Sequence, residues 1–183
     1  MGLLGGTFDP VHNAHLAIAK SAMQALSLDK VLWIPTGRPD YREPPVASVF
    51  DRLAMLALAL KDEPAYEIDR RELEAGASPY TVDTLSALRR ERPRDELYLL
   101  LGADQYTSLG TWRKPAEVAR LARIAVFARP GYTLAGGDAL IVPMTPIAVS
   151  ASDIRARAAR GESLDGLVAP AVANYIAEHR LYR

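Results

Sequence analysis

Two histidines three residues apart, His12 and His15, follow the glycine pair Gly5 and Gly6 and precede a helical pattern that begins at Leu16. At that spacing both imidazoles fall on one face of a helical turn, where each can donate a hydrogen bond to a phosphate oxygen. Paired glycines let a ligand approach the backbone closely. Unpaired amides at a helix N-terminus, with the positive end of its dipole, favour an anion there. The run Gly5-Gly6-Thr7-Phe8-Asp9-Pro10-Val11-His12-Asn13-Ala14-His15 thus reads as a strand end, a turn and a helix start arranged for phosphate. It is neither a Gly-x-Gly-x-x-Gly turn nor a P-loop ending in Gly-Lys-Ser/Thr. His-x-x-His by itself also fits a surface cap or a metal pair. The third histidine, His179, lies near the C-terminus, so a three-histidine metal site has little support.

Such a turn needs a sheet behind it, and the chain supplies one. Gly2 to Gly5, Val31 to Ile34, Leu97 to Leu101 and Ile124 to Ala128 are short apolar runs expected as strands buried on both faces, with Tyr66 to Ile68 a further short strand. Helical stripes fall between them: Leu16, Ala19, Met23 and Leu26; Phe50, Leu53, Ala57 and Leu60; Val82, Leu85 and Leu88. Ala116 to Leu121 is a short helix, and Ala151 to Arg160 and Ala169 to His179 form a small helical C-terminal segment broken by Gly161 to Gly166. This alternation predicts an α/β fold with a doubly wound, mostly parallel sheet in a single domain, residues 1–183. Ligands in that architecture sit at the carboxyl ends of the strands, near the switch in strand order. Arg38 to Pro45 and Arg129 to Gly137 are expected as loops.

Composition sets the outer bounds. Hydrophobic residues make up 49% and charged residues 24% of the 183, values of an ordinary globular domain. Twenty-two basic and 22 acidic residues cancel to a net charge of +0, so the chain lacks the basic excess of a nucleic-acid binder. Arg89 to Arg94, interrupted by an acid, reads as a solvated helix end. Without cysteine there is no disulfide scaffold, cysteine–zinc site or thiol nucleophile. No apolar run is long enough for a membrane span, and no secretory leader pattern opens the chain, so the expected location is cytoplasmic.

The run from Gly5 to Leu16 resembles the signature of the nucleotidyltransferase superfamily, and within it the bacterial nicotinate-nucleotide adenylyltransferase family. Val149-Ser150-Ala151-Ser152-Asp153-Ile154-Arg155 is similar to the same family's Ile-Ser-Ser-Thr-x-Ile-Arg segment. Gly102-Ala103-Asp104 resembles its Gly-x-Asp, which receives the adenosine end of ATP. Trp112 matches its ring-stacking tryptophan, and Ser78-Pro79-Tyr80-Thr81 the segment whose backbone helps bind the nicotinate carboxylate. The resemblance implies adenylyl transfer from ATP to nicotinate mononucleotide, with His12, His15 and Arg155 as catalytic groups. It implies an ATP site at Gly5, Gly6, Phe8, Gly102, Asp104, Ser150 and Ser152. It further implies an acceptor site at Thr7, Arg42, Thr81, Trp112 and Arg113. Mg²⁺ would ride on the ATP phosphates and water without a protein cage. No nucleic acid or membrane partner is implied, and homo-oligomerisation is left open.

Each of these residues also has a plainer reading. Ser150, Ser152 and Asp104 suit helix caps, and Trp112 suits a core. The family's usual glycine is Ala14 here, which predicts a tighter phosphate turn. Pro39-Asp40-Tyr41-Arg42 stands where the family often has Pro-Pro-His-Lys or Pro-Pro-His-Arg, so Arg42 keeps the charge while the loop's phosphate contacts stay open. Transfer to nicotinamide mononucleotide or another phosphate acceptor, and a non-catalytic nucleotide sensor, are the alternatives.

Overall fold

The computed structural model describes residues 1–37, 43–128 and 138–183. Six strands, β1 (Gly2–Gly6), β2 (Val31–Pro35), β3 (Tyr66–Ile68), β4 (Tyr98–Gly102), β5 (Arg123–Phe127) and β6 (Leu140–Val142), form one sheet in the order β3-β2-β1-β4-β5-β6. Every pair is parallel. The expected doubly wound architecture is therefore present, and its sheet is parallel throughout.

The strands form because successive side chains enter two separate cores. Leu4, Val31, Trp33, Leu100 and Phe127 point to one face, and Leu3, Leu32, Ile34, Leu101 and Val126 to the other. The first face is covered by α1 (Asn13–Ala25), α2 (Val49–Leu60), α6 (Ala151–Ala159) and α7 (Pro170–Glu178). The second carries α3 (Thr81–Glu91) and α5 (Pro115–Leu121), with α4 (Ala103–Ser108) leaving the end of β4. Helix starts follow local chemistry: Ser48 caps α2 by accepting from the Asp51 amide, Ser150 caps α6 through the Asp153 amide, and Pro115 and Pro170 open α5 and α7. No described helix is long and apolar enough to cross a membrane.

Three expectations need correction. In α2 the buried face carries Arg52, Met55, Leu56 and Leu60, whereas Phe50 is 75% exposed and Ala57 also faces outward. The segment is apolar nearly all round, so its periodicity supports two phases, and the tertiary contacts select the one that buries an arginine. Arg89 is not a solvated helix end: its guanidinium donates to the carbonyls of Asp95 at 2.7 Å and Leu121 at 2.8 Å. The strand β6 lies where no element was expected, and α4, foreshadowed only by Asp104 as a possible cap, is capped by Gly102 and carries Asp104 in its first turn. The Arg129 to Gly137 loop falls outside the described residues, as does most of Arg38 to Pro45.

Candidate active site

The switch in strand order lies between β1 and β4, and there the sheet opens. The β1–β2 ladder runs to Gly6↔Pro35 and the β4–β5 ladder to Gly102↔Phe127, but β1 and β4 pair only at Gly2↔Tyr98 and Leu3↔Leu99. The turns beyond them bound a cleft of about 1080 Å³ at the carboxyl ends of the strands.

Gly5, Gly6 and Thr7 form its floor. A Cβ on Gly5 would meet nothing within 4 Å, because that side of the backbone faces the cleft. On Gly6 it would stand 2.9 Å from the Phe8 ring, so glycine is needed there for the turn to fold over Phe8. Phe8 is buried with φ 50°, a conformation that L residues adopt at a cost of about 1–3 kcal/mol and that marks sites held by their surroundings. Its ring lies 5.1 Å from His15 and 5.5 Å from Trp33.

His12 is the N-cap of α1, and His15 occupies the first turn. Their rings stack with centroids 3.7 Å apart and planes 20° from parallel. The His12 backbone N–H donates to His15 Nδ1 at 3.2 Å. An accepting Nδ1 leaves the proton on Nε2. Both rings line the cleft at a helix N-terminus, as the spacing predicted, and Ala14 lines it between them.

Beneath this turn lies a buried polar network. The Asp9 carboxylate accepts from the amides of Val46 at 2.7 Å and Ala47 at 3.1 Å and from the Tyr182 hydroxyl at 2.8 Å. Burial and the adjacent Asp9 carboxylate push the Tyr182 hydroxyl well above the ordinary tyrosine range. Arg155 reaches in from α6, where Nη1 donates to the Asp9 carbonyl at 2.8 Å, and its side chain lines the cleft. The Arg52 Nη1 donates to the carbonyls of Thr7 at 2.6 Å and Thr36 at 2.9 Å. Burial lowers the Arg52 pKa, and the Asp9 charge opposes that shift.

The opposite wall starts at β4. Gly102 leads into α4, and a Cβ there would lie 2.7 Å from Asp104 Oδ1, so glycine admits the carboxylate close to the backbone at the cleft edge. Gly102 is the N-cap of α4, and Asp104 stands in the first turn. Trp112 is half-buried against the second core and lines the cleft, while the fully buried tryptophan is Trp33. The Arg113 guanidinium lies 4.6 Å from the centroid of the Tyr80 ring, a cation–π arrangement at the cleft rim. Thr81 opens α3, and Thr81, Thr84 and Glu72 also face the cleft. The Thr84 hydroxyl donates to Glu72 at 2.7 Å, and burial raises the Glu72 pKa against that bond. Ser150 and Ser152 stand with hydroxyls 3.0 Å apart beside the cleft wall made by Ala151 and Arg155.

Comparison with known proteins matches this architecture. Residues 3–157 fit the cytidylyltransferase-like family. A Bordetella petrii protein named "Probable nicotinate-nucleotide adenylyltransferase" is 46% identical across 100% of this chain and 98% of its own length. The chain belongs to the nicotinate-nucleotide adenylyltransferase family. A Thermus thermophilus member with the same name is 39% identical over 100% of the chain and 99% of its own. Among solved structures, Plasmodium falciparum nicotinic acid mononucleotide adenylyltransferase complexed with NaAD superposes with a TM-score of 0.85 over 99% of this chain and 96% of that one, at 14% identity. At that identity the likeness speaks for the fold.

The sequence features that resemble the family converge on one cleft. Gly5, Gly6, Thr7, Phe8, His12 and His15 line it from β1 and the turn into α1, and Gly102, Asp104, Thr81, Trp112, Arg113 and Arg155 line it from other elements, while Ser150 and Ser152 stand beside it and are not among its lining residues. Arg42 lies outside the described residues, together with Asp40 and Tyr41. The buried contacts of Asp9, Arg52, Glu72 and Tyr182 were not anticipated. Asp9 stood within the Gly5–His15 run, and Arg52 left a signal as a charged residue sharing the i, i+3, i+4 face of Met55 and Leu56.

Proposed function

We propose that the protein transfers the adenylyl group of ATP to the 5′-phosphate of nicotinate mononucleotide, forming nicotinate adenine dinucleotide and pyrophosphate. The stacked His12–His15 pair over the Gly5–Gly6 floor, facing Trp112 across the strand-order switch, carries this reading. A phosphate oxygen of the acceptor attacks the α-phosphorus in line as the bond to pyrophosphate breaks, and no protein nucleophile takes part. Catalysis then consists of holding two anions together and stabilising charge on the departing pyrophosphate.

His15, with its proton on Nε2, serves the transition-state contact. His12 orients the ATP phosphates. Arg155, with one nitrogen bonded to the Asp9 carbonyl, keeps its remaining donors for the β- and γ-phosphates, with Ser152 beside it. Gly102 and Asp104 take the adenosine end. The acceptor's pyridine ring stacks on Trp112, with its phosphate near Thr7 and Arg42. The first-turn amides of α3 at Thr81 and the Arg113 guanidinium favour the nicotinate carboxylate over an amide.

Among the described residues no three His, Cys, Asp or Glu converge as a metal cage. A donor set of amides, imidazoles and guanidinium suits a Mg²⁺ carried by the triphosphate oxygens and water. When bound, the ion neutralises triphosphate charge. Turnover with ATP labelled at the α-phosphorus tests the reading: the label must appear in nicotinate adenine dinucleotide, and label released only as AMP contradicts it.

A further inference from the structure

Arg52 takes no part in the chemistry above, yet at 1% it is the least exposed of the buried polar and charged side chains among the described residues. A charge placed among Met55, Leu56 and the first core is costly to bury, and an apolar residue of similar volume is often neutral or better for stability. Its hydrogen bonds show what it gains. The ladder between β1 and β2 ends with the Thr36 amide donating to the Gly6 carbonyl at 2.9 Å. At the next step the two chains part. Thr7 leads into the turn of His12 and His15, and Thr36 lines the same cleft. Arg52 Nη1 bonds the carbonyls of Thr7 and Thr36 together, at 2.6 and 2.9 Å, from below. Its charge faces the Asp9 carboxylate, itself held by two loop amides and Tyr182. The Arg52 Nε has no hydrogen-bond partner, so the Nη1 fork holds the side chain.

We propose that Arg52 is a positioning residue for adenylyl transfer, a clamp that fixes the separation of Thr7 and Thr36 at the ends of β1 and β2 and so the placement of the acceptor's phosphate beside Thr7. The proposal rests on the function proposed above. It acts through Thr7 and Thr36 and touches neither substrate. Releasing the clamp leaves two carbonyls without this donor and lets Thr7 and Thr36 move apart, and misplacement of about 1 Å can cost about 10²-fold in rate.

The test compares Arg52→Met and Arg52→Lys in the full chain, with steady-state constants measured well below each variant's Tm. Methionine removes both bonds, and the expected result is an acceptor KM raised about tenfold with kcat also lowered, about 10²-fold in kcat/KM, while the ATP KM changes less. Lysine keeps the charge on a stem one bond shorter, so it should fall between, with acceptor KM raised roughly threefold or more. A lower Tm with wild-type KM and kcat in either variant would show that the arginine only supports the fold, and would overturn the proposal. If the methionine variant does not fold, the lysine variant decides alone. Wild-type protein that binds both substrates without releasing pyrophosphate would fail the functional reading instead. The clamp is then read from the Kd of nicotinate mononucleotide by calorimetry, which Arg52→Lys must weaken by the same factor.

Discussion

Replacing His15 separates its structural work from its chemical work, because the two use different nitrogens. Nδ1 accepts the His12 amide and so closes the first turn of α1, while Nε2–H is the nitrogen assigned to the phosphates in the proposed mechanism. His15→Ala loses that capping bond, worth about 1 kcal/mol, and the ring's contacts with His12 and Phe8. If His15 makes the proposed transition-state contact, the variant also loses a donor to developing phosphate charge, for which about 10²–10³-fold in kcat, or about 2.7–4 kcal/mol, is typical. His15→Glu divides the two effects. A glutamate at this position can accept the same amide in a capping box and suits the positive end of the helix. Its stability should equal or exceed that of the alanine variant. Its carboxylate, however, would face the phosphates, and two unit charges at about 4 Å repel by roughly 4 kcal/mol at an effective dielectric of about 20. The glutamate variant should therefore be the more stable and the less active. Urea unfolding and coupled pyrophosphate release measure the two quantities. An alanine variant within about threefold of wild-type turnover, or a glutamate variant that remains active, would refute the assignment.

Three further outcomes follow from the same geometry. Trp112→Ala should raise the acceptor KM by about tenfold while leaving the ATP KM within about twofold, since the side chain lines the cleft, is only half-buried and is proposed to stack on the acceptor's ring; equal changes in both constants argue that it only supports the wall. Burial raises the Glu72 pKa, so the folded chain keeps that proton to higher pH than the unfolded chain, whose value is about 4.3. The favourable contribution is complete below that value and is lost as pH rises through the folded pKa. Glu72→Gln should accordingly gain stability relative to wild type as pH rises from about 4 through the raised folded pKa, and a difference independent of pH counts against it. Tyr182→Phe removes one of the hydrogen bonds to the Asp9 carboxylate and should cost about 1.5–3 kcal/mol by urea unfolding; no loss of stability would mean that the bond contributes nothing in solution.

What could be read from the sequence was what is local in it. The glycine pair, the two histidines and the helix start lie within a few residues of one another, and the strands are apolar on both faces because both faces are covered by helices. Distance along the chain concealed the rest. Tyr182 and Asp9 are 173 residues apart, and Arg155 and Asp9 are 146 apart, so their hydrogen bonds exist only once α6 and α7 cover the first face of the sheet. The three residues of β6 carry too little pattern to detect, and their strand geometry comes from pairing with Ala125, Val126 and Phe127. The phase of α2 was ambiguous because Val49–Leu60 offers apolar residues on every side. Its buried arginine becomes intelligible only beside the carbonyls of Thr7 and Thr36.

The central claim is the identity of the acceptor. Pyrophosphate release with ATP and Mg²⁺, compared across nicotinate mononucleotide, nicotinamide mononucleotide and phosphopantetheine at equal concentration, tests it most directly. Release should depend on the nicotinate acceptor and be much weaker with the other two. Folded, ATP-binding protein that stays silent with all three, or that prefers phosphopantetheine, would contradict it.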